Sequence, residues 1–129
     1  MAKEYSRWHS KKTSVDAKSK RVFFHEREIW SCHIGANVGF EEDGRGIEFL
    51  RPAVIIKKFN NELCWVVPLT RTTKDGIYYF VFNFDKEATS AALLSQMKPV
   101  DAKRLKYKMG AMEEADFSSL KQKIKRLLD

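Results

Sequence analysis

Apolar residues fall in short runs along most of this chain and take up a sustained helical spacing near its carboxyl end. The strongest pattern is RPAVIIKKFNNELCWVVPLT, from Arg51 to Thr70. It predicts two strands, Pro52 to Lys58 and Leu63 to Val67, joined at Asn60-Asn61. Both arms are rich in Val and Ile, and Asn tolerates the positive φ that tight hairpin turns require. A hairpin centred between residues 60 and 61 sets Arg51 opposite Thr70. Directly opposed residues share a face of the sheet, so a cation and a hydroxyl meet at the open end. Pro52 holds Arg51 extended, and Pro68 stiffens the approach to Thr70. This pair is the first place to look for chemistry.

The same reading predicts a strand at Glu28 to His33 (EIWSCH), with Trp30 in the core. Ile77 to Phe84 (IYYFVFNF) is the clearest strand, aromatic and β-branched. A polar loop over residues 85–90 precedes short strands at Ala91 to Ser95 and Met97 to Val100, the latter bent or at an edge because of Pro99. One helical turn from Asp101 to Leu105 and a last strand from Lys106 to Met112 follow. Phe117, Leu120, Ile124, Leu127 and Leu128 then recur at helical spacing, with Asp116 as the cap and Lys121, Lys123, Lys125 and Arg126 on the wet face. The expected class is mainly β with some helix (α+β), a small, strongly bent antiparallel barrel ending in an amphipathic helix.

Two stretches stand outside this pattern. Residues 1–22 are a basic extension ahead of a barrel domain at 23–129, and Tyr5, Trp8 and Val15 fit either a short docked helix or a frayed tail. The loop GANVGFEEDGRGIEF holds Gly35, Gly39, Gly44 and Gly46. It lacks both GK[ST] and GxGxxG, which excludes a nucleotide cradle, and it delivers Glu41, Glu42, Asp43 and Arg45 toward Arg51.

With 129 residues and 43% hydrophobic content, the chain suits one folded domain. No run reaches membrane-spanning length and MAKEYSRWHS has no apolar signal core, so a cytoplasmic protein with no membrane partner is expected. The net charge of +7 sits at the ends. Residues 1–24 carry seven Lys/Arg and two acids, residues 101–129 carry eight and five, and the middle carries nine and ten. Basic ends suit a polyanion such as RNA, and they equally suit lysines that only keep both ends soluble. Cys32 and Cys64 lack CxxC or Cys/His ligand spacing and read as buried free thiols; no metal and no cofactor is expected. His9, His25 and His33 share no motif spacing.

Three motifs now carry a resemblance: NVGFE, LRPAVII and VVPLT, continued by SQMKPVDAKRL and the closing helix. In order and spacing they resemble the PemK/MazF family of toxin endoribonucleases from toxin–antitoxin modules. The resemblance implies a homodimer of SH3-like barrels that cuts single-stranded RNA without a metal and is inhibited by a cognate antitoxin protein. In such cleavage the ribose 2′-OH attacks the adjacent phosphate, which needs a proton acceptor, a proton donor and positive charge at the phosphorane. By resemblance, Arg51 and Thr70 are the catalytic pair. Arg51 supplies charge and planar donors, and Thr70 hydrogen-bonds the scissile phosphate or orients Arg51.

The chain also departs from the family. Phe40 stands where some members have His, and Ser95-Gln96 where several have Asp-Gln. Glu41 is then left as the base or the group that orients Arg51, or it is a plain loop carboxylate. Arg45, Arg71, Lys74, Gln96 and Lys98 are the candidate RNA-binding residues. The alternative is a non-catalytic toxin of the same barrel, one that binds RNA or poisons DNA gyrase through the terminal helix.

Overall fold

The computed structural model describes residues 22–34, 50–71, 76–85 and 88–129. Residues 1–21 of the predicted 1–22 extension, the glycine-rich loop with Glu41 and Arg45, and Lys74 lie outside the described residues. Seven strands appear: β1 (Glu28–His33), β2 (Leu50–Lys58), β3 (Leu63–Arg71), β4 (Tyr79–Asp85), β5 (Ala88–Leu93), β6 (Lys98–Asp101) and β7 (Leu105–Ala111). A 14-residue helix, α1 (Glu114–Leu127), ends the fold. All pairings are antiparallel, in the order β4-β5-β3-β2-β1-β7, with β6 added on β3. The barrel is therefore open, since no ladder joins β4 to β7 among the described residues.

Strand β3 is the hub. Its first half pairs with β2 and with β6, and its last three residues pair with β5. The predicted hairpin register holds at Ala53–Pro68, Val54–Val67 and Ile55–Val66, and a bulge then shifts it by one residue toward the turn. The β2–β3 ladder ends at Ala53–Pro68, so Arg51 and Thr70 are not a paired position as the symmetric hairpin would have them. Pro52 and Pro68 have no N–H to give, and they stand where the two strands part.

Because β2 lies mid-sheet, alternate residues feed two cores. Val54 and Ile56 join Ile29, Val67, Leu69, Phe117 and Leu120 beneath α1. Ala53 and Ile55 join Phe24, Trp30, Cys32, Cys64 and Val66 on the other face.

Three expectations need correction. The hairpin loop spans residues 59–62 as expected, but Asn60 shapes it through its side chain: Oδ1 accepts from the Glu62 and Leu63 amides at 2.7 and 2.9 Å. Among the described non-glycine residues only Arg27 has a positive φ, so Asn60 and Asn61 do not form a left-handed turn. The helix starts at Glu114 with Glu113 at the cap position, and Asp116 sits inside the first turn. There its charge, with that of Glu114, faces the positive end of the helix dipole. Finally, β5 begins at Ala88 inside the predicted polar loop, where Ser90 is buried between Phe82 and Arg71 as cross-strand neighbours.

Candidate RNA interface

The residues that start β2 and end β3 form the site. Arg51 is paired with Cys32 on β1, and Thr70 with Ala91 on β5. Strand alternation puts Arg51 on the face of Ala53 and Ile55, and Thr70 on the face of Val66 and Cys64. Both therefore lie on the face of the Trp30 core, at the end where β2 and β3 separate. Lys98 opens β6, pairs with Val66, and shares the face of Val100, which belongs to the same core.

Arg51 is only 6% exposed and Thr70 is half-buried. Burial disfavours the guanidinium charge and moves its pKa down from the ordinary Arg value. Arg remains cationic at neutral pH regardless, so this charge is held largely out of water. The Cys32 thiol beside it is pushed up to about 12, by burial first and by Cys64, against the pull of Arg104 and Lys98. Those two cations are thus close enough to act on the residue paired with Arg51. Arg104 closes the turn Ala102–Arg104 just before Leu105, which pairs with Cys32, and it is a cation on this side of the sheet that sequence reasoning did not name. Its signal was present in the closing KRL of SQMKPVDAKRL.

Not every predicted residue joins this group. Arg71 is exposed, and alternation from Val67 and Leu69 places it on the opposite face from Thr70. Gln96 is half-buried and closes the 3₁₀ turn Leu94–Gln96 that leads to Lys98. Glu41, Arg45 and Lys74 are outside the described residues. Both cysteines are free and buried, Cys64 with its thiol pushed up to about 11 by burial, so neither is a nucleophile at neutral pH. Among the described residues, no group of three His, Cys, Asp or Glu side chains could hold a metal ion, and no helix is long and apolar enough to cross a membrane.

A bent antiparallel sheet of seven strands closed by a terminal helix, with a buried guanidinium where β2 and β3 part, defines a small, mainly β protein. A family model described as PemK-like, MazF-like toxin of type II toxin-antitoxin system matches residues 25–128, and the chain belongs to that family. Solved structures agree on the fold. The Mycobacterium tuberculosis toxin MazF-mt6 is 14% identical with a TM-score of 0.61, covering 80% of this chain and 97% of its own. MazF from Deinococcus radiodurans is 13% identical with a TM-score of 0.62, over 83% and 97%. An endoribonuclease from a mycobacterial species, solved with its cognate antitoxin, is 12% identical with a TM-score of 0.61, over 82% and 95%. No curated protein sequence matches this chain.

Proposed function

We propose that this toxin is a metal-independent endoribonuclease that cleaves single-stranded RNA in the cytoplasm. The observation that carries the reading is the placement of Arg51 and Thr70 on one sheet face at the parting of β2 and β3, with Lys98 on that face and Arg104 nearby. The ribose 2′-oxygen attacks the adjacent phosphorus as its proton passes to a base, and the bond to the 5′-oxygen breaks as that oxygen takes up a proton. The products are a 2′,3′-cyclic phosphate and a free 5′-OH. Arg51 meets the charge that grows on the phosphorane oxygens, where one aimed donor is typically worth about a hundred- to a thousand-fold in rate. Thr70 holds the scissile phosphate or Arg51, and Glu41 is the proposed base. Lys98, Gln96, Arg71, Lys74 and Arg45 are assigned to the RNA track.

The family supports two partners besides RNA. One is a cognate antitoxin, as in the mycobacterial structure solved with its own, and the other, implied by the resemblance, is a second copy of the chain in a homodimer. A cation-lined mouth attracts RNA and a carboxylate-rich peptide alike.

The test is incubation of the purified protein with a long single-stranded RNA in EDTA. The expected result is discrete fragments ending in cyclic phosphate, lost in Arg51→Ala and reduced in Arg51→Lys, which keeps the charge but not the planar fork. RNA that is bound yet stays intact would overturn the nuclease in favour of an RNA binder of the same fold. RNA that is neither bound nor cut would leave the gyrase-poison alternative.

A further inference from the structure

The C-terminal helix touches the sheet by more than its apolar stripe. Lys123, on α1, is half-buried, and its Nζ donates to the carbonyl oxygens of Gly76 at 2.7 Å and of Tyr79. The Gly76 oxygen also accepts from the Tyr79 amide at 3.2 Å, so one ammonium closes the turn that begins β4. From the same turn, the Tyr78 oxygen accepts from the Leu94 amide at 3.0 Å. Leu94 is the first residue of the 3₁₀ turn that carries Gln96 and runs into Lys98.

We propose that Lys123 is a positioning residue: by fixing the Gly76–Tyr79 turn, it sets the place of Gln96 and Lys98 for the phosphate backbone of RNA. The inference rests on the reading of Gln96 and Lys98 as RNA contacts given above. Three physical facts carry it. A charged donor on two carbonyls is stronger than a neutral one. The contact spans 44 and 47 residues of sequence, so it ties elements that no local propensity would hold. The turn meets the helix through the Gly76 and Tyr79 carbonyls and the 3₁₀ turn through the Tyr78 carbonyl, so loss of the helix-side donor loosens the backbone that holds the bond to Leu94.

Lys123→Met keeps the length and removes the donors, and Lys123→Arg keeps donors. Amide hydrogen exchange at Leu94 is expected to quicken about tenfold or more in Lys123→Met and to return toward the wild-type rate in Lys123→Arg. Binding is read with a 2′-O-methylated oligoribonucleotide, which lacks the attacking hydroxyl. Lys98→Met should flatten the salt dependence of its affinity by about 0.7, the slope for one phosphate contact on a single strand. Lys123→Met should do the same, and the double variant should lose no more than either single one. Unchanged exchange at Leu94 overturns the positioning role whatever RNA does. Altered exchange with an unchanged slope in Lys98→Met leaves the clamp standing and removes Lys98 from the RNA track, so the two failures are told apart. An additive double variant overturns the coupling.

Discussion

Glu28 reads in the sequence as an unremarkable first residue of a strand, yet its carboxylate meets four donor groups. Oε1 accepts from the His25 amide at 2.9 Å and from Trp30 Nε1 at 3.0 Å, while Oε2 lies 3.1 Å from Lys108 Nζ and 3.3 Å from His25 Nδ1. Burial alone would raise its pKa, but the bonds from Trp30 and His25 and the nearness of Lys108 outweigh it and leave the pKa below the ordinary Glu value. The folded chain then holds this proton less tightly than the unfolded one. The resulting stability is fully present above the unfolded value, near pH 4.3, and is lost as pH falls through the lowered folded value. Glu28→Gln is expected to cost about 1 to 2 kcal/mol at pH 7, with the gap to wild type closing in acid below about pH 4. Urea unfolding of both proteins at pH 7 and at pH 3 checks this, and an equal gap at both would show that the charge is not what matters. Sequence could not reveal the arrangement, because Lys108 becomes a neighbour only through the shifted β1–β7 register that sets it opposite Trp30.

Elements were legible where their pattern is local. The run EIWSCH is β1 to the residue, since β-branched and aromatic positions bounded by polar ones need no partner to be recognised. The change of partner along β3 was not legible, because a strand's neighbours are chosen by the whole sheet. Only Pro68, with Pro52 on β2, hinted that the ladder would stop. The helix shows both sides of this. Its apolar stripe was read correctly at Phe117, Leu120, Ile124 and Leu127, which reach the core. Leu128 was read as part of it too, but it lies past the helix end and is 83% exposed. The stripe therefore divides by substitution. Leu120→Ala, at a fully buried position, is expected to cost about 2 to 5 kcal/mol, because the cavity adds to the lost transfer energy. Leu128→Ala should stay within about 0.5 kcal/mol of wild type. Denaturant midpoints at constant slope read both, and a large loss at Leu128 would mean that a partner surface covers it in solution.

At the scale of the molecule, the sequence predicted a small bent antiparallel barrel, and the structure leaves it open between β4 and β7. What holds the gap is side-chain contact. Phe84 of β4 packs against the core under α1, and its ring lies so close to Gly110 of β7 that an added Cβ would meet Cε1 at 2.8 Å. A glycine in a strand often marks such a close approach, but which aromatic fills the space is fixed only by the fold. Gly76 supplies the matching control. Both glycines have a positive φ, +157° at Gly110 and +129° at Gly76, so alanine is strained at either. At Gly76, however, an added Cβ meets nothing within 4 Å. Gly76→Ala is thus expected to cost about 1 kcal/mol from backbone strain, and Gly110→Ala about 1 to 3 kcal/mol more from overpacking against Phe84. Replacing the ring in Gly110→Ala/Phe84→Leu should return part of that excess, since neighbours in contact do not add. Equal losses for the two single variants in urea unfolding would mean that Phe84 swings aside without cost, and that the open edges of the sheet are held by α1 alone.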